Sequence, residues 1–397
     1  MSSALPVYAP PLREMTGAYR ARNAPLVAAL RALDAVGRLM SPRSGVLPTG
    51  RPLRVLIANG GHLGDIVSLL PFLKYVESHP RVGELGLLVG SWSVGALQAS
   101  DLCAHIHTLD HWALDRGPGG RLAKAAGYAG AAGRMARELA ARRYDVSIDT
   151  FSTFPASHVL TWRAGVPVRI GFESAGGGAW LTQAVPWRAE EIPVVRQQLA
   201  LLAPIFGAEA PAALPAAYPG FQPAGLPDAP GFSGRGHVVL HMGSGASARE
   251  WQAEKWIWLA QRLVQAGHVV VATGAPGREA EMAAGVAAET GVINLAGRLD
   301  WAQFVTVIAQ AAGLVAVDTV AGHLAACFDV PTVVLTAGRQ RLAYWRPNGS
   351  RSRPITHPVG CQPCFRSDGC EAMACVRLID ENDVCETFLR LLEPPTA

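Results

Sequence analysis

Apolar and polar positions alternate in blocks that repeat strand, loop and helix along most of the chain. RVLIA (54–58) is a mostly apolar run followed by glycines, the pattern of a strand buried on both faces of a parallel sheet. Asp65 to His79 has helical periodicity, and ELGLLVG (84–90) predicts the next strand. A helix is expected over 121–143, with strands at YDVSIDTF (144–151) and VPVRIGF (166–172). The pattern then breaks. Six prolines fall between Pro211 and Pro230, a density that sustains neither a helix nor a central strand, so 208–236 predicts an interdomain linker. A second series follows. Strands are expected at HVVLHMG (237–243), HVVVATG (268–274), VINLA (292–296), GLVAVD (313–318) and PTVVLTAG (331–338). Helices are expected over 256–267, 278–288 and 301–311, with another starting near Thr319. Alternation of this kind implies α/β units with parallel sheets and right-handed crossovers.

The N-terminal region differs. Residues 1–20 are proline-rich and read as an extended leader. Residues 23–40 read as one helix carrying Arg31 and Arg38, with Arg20, Arg22, Arg43 and Arg51 flanking it. Two placements are open: on an anionic lipid surface, or docked on the following domain with the arginines in water.

Composition narrows the function classes. The chain has 397 residues, enough for two cores, and half of them are apolar with 17% charged, which excludes a disordered chain. A net charge of +4 is too weak for a dedicated nucleic-acid binder. Lys74, Lys124 and Lys255 are the only lysines, so nearly all positive charge is guanidinium, suited to phosphate and carboxylate as well as to GC-rich codon use. No apolar run reaches the roughly 18–20 residues of a membrane span, and no signal-peptide pattern opens the chain. The expected location is cytoplasmic.

Four sequence features carry chemistry. Asn59-Gly60-Gly61-His62-Leu63-Gly64-Asp65 lies between a strand and a helix, where open α/β sheets bind ligands. Its glycines allow close backbone approach but do not spell a dinucleotide fingerprint. Asp65 reads either as a helix N-cap or as a general base. VVLHMGSGASAREW (238–251) runs from a strand into small residues, so His241, Ser244, Ser247 and Arg249 could cradle a phosphate; it lacks the ending of a Walker A loop. Asp318-Thr319-Val320-Ala321-Gly322-His323 joins a strand to a helix N-terminus, an anion-binding position; the plainer reading makes Asp318 an N-cap and His323 a packing residue. The three loops are expected to converge on one cleft. Finally, Cys361, Cys364, Cys370 and Cys375 suit either a structural zinc or iron or a set of free thiols. Cys103, Cys327 and Cys385 read as small buried residues.

At these residues the chain resembles glycosyltransferase family 9, the heptosyltransferase family of lipopolysaccharide core assembly. The resemblance spans about 54–390 and rests on five motifs in order. They are Gly61-His62-Leu63-Gly64-Asp65 with Pro71; Gly243 to Trp251; Gly274-Ala275-Pro276; Asn294-Leu295-Ala296-Gly297; and Asp318-Thr319-Val320-Ala321-Gly322-His323-Leu324-Ala325-Ala326. The late cysteines also occur in many members.

The resemblance implies a GT-B fold of two Rossmann-like domains facing across a cleft. The expected domains are a leader (1–50), an acceptor-side domain (51–207), the linker (208–236), a nucleotide-sugar domain (237–380) and a C-terminal helix returning to the first domain (381–397). It implies an enzyme, an inverting glycosyltransferase that needs no metal for catalysis. Asp65 would be the general base. Gly61, Gly64, His241, Ser244, Ser247, Arg249, Gly274, Asp318, Thr319, Val320, Ala321, Gly322 and His323 would surround donor and phosphates, with Leu299 near the adenine. The implied partners are a nucleotide-sugar donor and a glycolipid or other glycan acceptor; the arginine-flanked leader helix adds contact with an anionic membrane surface, and the weak net charge no nucleic acid. Three residues depart from the family: Val320 replaces a glycine, Arg249 a lysine, and the acidic residue after Gly-x-Pro is displaced to Glu279 or Glu281. Another acceptor, another donor, or a non-catalytic sugar-nucleotide binder are the alternatives.

Overall fold

The structure is a computed structural model and describes residues 19, 24–40, 45–115, 118, 120–152, 155, 157–187, 192–215, 217–222, 224–226, 229, 232, 234–245, 249–366 and 369–393. It divides into two compact units that meet in sequence at Leu214/Pro215.

The first unit holds six strands: β1 (Leu53–Asn59), β2 (Val82–Val89), β3 (Ala104–Thr108), β4 (Val146–Asp149), β5 (Val168–Phe172) and β6 (Gln183–Val185). They form one sheet in the order β3-β2-β1-β4-β5-β6, parallel throughout. The centre of the sheet is apolar on both faces, as its helices require: Val55, Leu56, Ile57, Val146 and Ile148 are buried. The helix Ala24–Met40 docks on this unit. Asp34 accepts from the Ala179 N–H at 3.0 Å, and the Trp180 Nε1–H donates to the Leu33 carbonyl at 3.0 Å. Gly37 is required there, because a Cβ would sit 2.8 Å from Trp180 Nε1.

The second unit repeats the design with β7 (Val238–His241), β8 (Val270–Thr273), β9 (Ile293–Asn294), β10 (Gly313–Val317), β11 (Thr332–Leu335) and β12 (Ser352–Ile355). The order is β12-β11-β10-β7-β8-β9, again all parallel. Counted within each unit, both sheets have the doubly wound order 3-2-1-4-5-6. Strand order therefore reverses between β1 and β4 in one and between β7 and β10 in the other. Ligands of such sheets bind outside the carboxyl ends of the strands at that reversal.

The helix Glu381–Leu392, expected to return to the first domain, packs within the second unit. Val384, Cys385 and Phe388 are buried in the core of the second unit, and the Phe388 ring lies so close to Gly313 that a Cβ there would be 2.6 Å away. The helix has one apolar face, and β10 and β11 bury it. Described residues of 208–236, the expected linker, also pack on the second unit. Tyr218 and Phe221 are buried, Phe221 packs on Phe328, and the Tyr218 N–H donates to the Cys327 carbonyl at 2.8 Å. Aromatic residues placed between the prolines tie this extended chain to the second unit. Among the described residues no helix is long and apolar enough to cross a membrane.

Candidate active site

At the reversal in the first sheet, the ends of β1 and β4 are tied by Asn59, whose Nδ2 donates to Thr150 Oγ1 at 2.9 Å. Asn59 Oδ1 accepts from the Gly61 N–H at 2.8 Å, so the loop turns tightly into the helix Leu63–Ser78. His62 is the N-cap of that helix. Asp65 is its third residue, and its Oδ2 accepts from the His62 N–H at 2.7 Å. Asp65 is thus the returning member of a capping box and not the cap itself. Gly61 must be glycine because a Cβ would fall 2.7 Å from the Asp65 carboxylate carbon and Oδ2. The Trp92 Nε1–H donates to the Gly61 carbonyl at 2.9 Å. A half-buried carboxylate is therefore fixed at a strand-end loop.

At the reversal in the second sheet, His241 ends β7. It is buried, its Nδ1 lies 3.0 Å from Thr273 Oγ1 at the end of β8, and burial pushes its pKa down to about 4. The loop continues through Gly243 and the buried Ser244; Ser247 lies outside the described residues. Arg249 then reaches across to β10, where its Nη1 donates to the Asp318 carbonyl at 3.0 Å. Its Nε is buried and has no hydrogen-bond partner among the described residues. Asp318 does not cap the next helix. Its N–H donates to Leu335, and Thr319 is the N-cap, with Oγ1 accepting from the Ala321 N–H at 3.3 Å. Val320 is the first helical residue and has no positive φ, so the chain enters the helix without the left-handed turn that would favour glycine. Gly322 lies against Val334 and Pro347, keeping the helix close to β11. Burial lowers the pKa of His323, opposed by the charge of Asp318. Leu299 is half-buried just before the helix Trp301–Ala309.

Two further side chains lie at the second reversal. Glu279 was noted only as a displaced acid. Its Oε2 accepts from the Ala275 N–H at 2.8 Å, and its side chain crowds both Gly243 and Gly274, where a Cβ would come within 2.2 and 3.0 Å. Two glycines far apart in sequence thus make room for one carboxylate. Arg339, in the loop after β11, was not singled out at all. Its Nη2 lies 3.9 Å from Asp318 Oδ2, the same distance as Arg249 Nη1 from that oxygen. Burial and the charge of Arg249 lower its pKa, and Asp318 raises it. A lone arginine in a loop carries no motif, so only the fold could identify it.

The structure gathers the late cysteines loosely. Cys364 and Cys375 are buried, Cys361 and Cys370 half-buried, and burial together with the neighbouring sulfurs raises the pKa of Cys361 and Cys375. Among the described residues, the group of three metal-capable side chains with ligand atoms within 4.8 Å of one another is His105, His107 and Glu138. The cysteines do not form such a group. Protein groups already satisfy the histidine pair: Tyr144 Oη lies 2.8 Å from His107 Nε2 and Arg142 Nη2 lies 2.5 Å from His105 Nδ1. Cys327 and Cys385 are buried as expected, but Cys103 is exposed, because it precedes an edge strand at the surface.

The model of glycosyltransferase family 9 (heptosyltransferase) matches residues 132–373, more than half of the chain. The chain belongs to that family. Within it, a lipopolysaccharide heptosyltransferase 1 from Pseudomonas aeruginosa is 33% identical over 129 residues, which is 32% of this chain and 36% of the relative. This relative is therefore matched over about a third of its length. The structure of the E. coli ADP-heptose lipopolysaccharide heptosyltransferase II has a TM-score of 0.64 at 18% identity, covering 86% of this chain and 98% of that one. TibC from enterotoxigenic E. coli, described as an iron-containing dodecameric glycosyltransferase, has a TM-score of 0.52 at 14% identity, covering 86% of this chain and 76% of that one. At these identities the structural likeness shows the fold: an α/β protein of GT-B type, with two Rossmann-like units, as the family-9 motifs implied.

Proposed function

We propose that this family-9 member moves a heptose from ADP-heptose to a lipopolysaccharide-type acceptor, with inversion at the anomeric carbon and without a catalytic metal. The observation that carries this reading is the grouping of Ser244, Arg249, Asp318 and the Thr319-capped helix N-terminus at the strand-order reversal of the second sheet. That grouping offers a cation, amide N–H groups and a sugar-binding carboxylate in one place. The amides and Arg249 suit a diphosphate leaving group, whose negative charge grows as the glycosidic bond breaks. Asp318 suits sugar hydroxyls. Glu279, in the first turn of the helix Arg278–Thr290, holds its carboxylate against the loop after β8, where it suits ribose hydroxyls. The donor follows the two heptosyltransferase relatives.

Asp65 takes the role of general base. Its carboxylate needs only hydrogen-bond reach to the acceptor hydroxyl, and the His62 N–H fixes its direction. The acceptor oxygen attacks the anomeric carbon, its proton passes to Asp65, and the nucleoside diphosphate departs with the bonding pair. The test is turnover of ADP-heptose with and without a heptose-deficient lipopolysaccharide acceptor. Consumption of another sugar nucleotide instead would retain the chemistry and discard the heptose. Binding of ADP-heptose with no transfer to any acceptor would favour the non-catalytic alternative.

A cytoplasmic location at the inner membrane surface belongs to the same proposal. The outward face of the helix Ala24–Met40 exposes Leu26, Val36, Leu39 and Met40 beside Arg31 and Arg38, a composition suited to anionic lipid. Co-sedimentation with phosphatidylglycerol vesicles, lost in high salt, supports it; no sedimentation removes it.

A thiolate metal at Cys361, Cys364, Cys370 and Cys375 is apt in chemistry, and TibC is described as iron-containing. The sulfurs must close up to hold an ion, since no three of the four form a ligand group in this structure. An ion there would brace the loop, and no step of transfer passes through it. Stoichiometric zinc or iron in the purified protein supports the site, and neither metal removes it.

A further inference from the structure

We propose that Arg339 is a second phosphate-binding residue, which together with Arg249 forms a two-guanidinium clamp on the diphosphate of the donor nucleotide. This inference rests on the donor-site reading above and adds a residue that no motif marks. The decisive geometry is around Asp318. Arg249 Nη1 and Arg339 Nη2 both lie 3.9 Å from the same carboxylate oxygen, Oδ2. Neither contact is a hydrogen bond at that distance. The Asp318 carboxylate therefore attracts two cations by charge, one from the loop after β7, which also donates to the Asp318 carbonyl, and one from the loop after β11. Both reach the carboxyl end of β10, beside the Thr319-capped helix N-terminus. The Arg339 side chain is only 13% exposed. Burying a second guanidinium beside the first is costly in itself, because like charges repel and desolvation adds to the cost. A dianion placed between them offsets both terms and matches the planar forks of two arginines.

The Arg339 turn is held in place. The Phe365 N–H donates to the Arg339 carbonyl at 2.6 Å, and the Cys364 N–H donates to the Gly338 carbonyl at 3.2 Å. Gln362 fills the space over Gly338, where a Cβ would come 2.2 Å from its Nε2, and that nitrogen also donates to the His357 carbonyl at 2.8 Å. The cysteine-bearing segment thus has a role independent of any metal. Its backbone presents Arg339 at a fixed height over the strand ends, so the clamp is built before a ligand arrives.

The test compares the wild-type protein with Arg339→Gln and Arg339→Lys by titration calorimetry, using ADP and adenosine as probes. Arg339→Gln is expected to weaken ADP by about 10- to 100-fold, the worth of a charge-assisted hydrogen bond, while adenosine changes by less than about twofold. Arg339→Lys restores charge without the fork and is expected to fall between the two. Unchanged ADP affinity in Arg339→Gln overturns the clamp, and so does an equal loss for adenosine, which would mark a structural role. Should Arg339→Gln fail to fold, Arg339→Lys decides alone: wild-type affinity for ADP overturns the clamp, and a loss confined to ADP supports it. A wild-type protein that binds no nucleoside diphosphate fails the donor-site reading itself, a result distinct from failure of the clamp.

Discussion

As the proposed general base, Asp65 would carry two separable duties, and one pair of substitutions pulls them apart. As the third residue of the helix Leu63–Ser78 it accepts the His62 N–H at 2.7 Å. Its charge also faces the positive end of the helix dipole, an interaction worth about 0.3–1 kcal/mol. Asp65→Ala removes the acceptor and the charge, a loss of about 1 kcal/mol by the usual worth of a capping interaction. In a domain of this size that lowers the melting midpoint by about 2–4 °C. Asp65→Asn keeps an oxygen at the same place, so the His62 N–H stays satisfied and most of that stability returns. Catalysis behaves differently, because an amide cannot take the acceptor proton. Both variants are expected to lose about 10²- to 10⁴-fold in turnover, the range for a general base. ADP affinity stays near wild type. The assay measures ADP release at saturating donor and acceptor, with ADP titration and thermal melts alongside. An Asp65→Asn variant that keeps more than about a tenth of wild-type turnover refutes the base assignment. ADP affinity falling in step with turnover would place Asp65 in binding instead.

Gly243→Ala puts a Cβ within 2.2 Å of Glu279 and displaces its carboxylate from the Ala275 N–H; nucleotide affinity is expected to fall about tenfold, and unchanged affinity in a calorimetric titration would remove Glu279 from the site. Phe388→Ala empties a fully buried position against Gly313 and is expected to cost about 3–5 kcal/mol in urea unfolding, whereas a loss below about 1 kcal/mol would contradict the placement of the C-terminal helix in that core. His241 is held neutral in the folded state, its pKa pushed down from 6.5 to about 4. The unfolded chain then binds protons first on acidification, so stability is full above pH 6.5 and falls toward pH 4. Urea midpoints at pH 7.5 and 5 should fall in that order, less steeply for His241→Gln, and a midpoint that rises on acidification contradicts the assignment.

The central strands were legible because burial on both faces leaves an unbroken apolar run. RVLIA became β1, and GLVAVD became β10. Of the described edge strands, β9 was expected within VINLA, and the other three were not. β3 is AHIHT, β6 has three residues and β12 contains Pro354, so each lacks that apolar run and shows nothing distinctive in sequence. Strand order was also silent, and it is strand order that identifies the two reversals where the loops lie. Residues carried by a continuous motif do lie at the strand-end loops of the two reversals: Gly61 and Asp65 in the first unit, Ser244, Arg249 and Asp318 in the second. The capping positions that one reading offered to the aspartates fall instead to Thr319 and His62. Glu279 and Arg339 depend on contacts between loops far apart in sequence, and no spacing rule reaches them. The apolar face of the C-terminal helix states that it packs, not which sheet it packs on.

The most direct measurement is a transfer reaction with ADP-heptose and a heptose-deficient lipopolysaccharide, followed by mass spectrometry of the acceptor and quantitation of ADP. The expected result is an acceptor heavier by one heptosyl residue and one ADP released per transfer. ADP-heptose left intact while another sugar nucleotide is consumed, or no transfer from any donor, would contradict it.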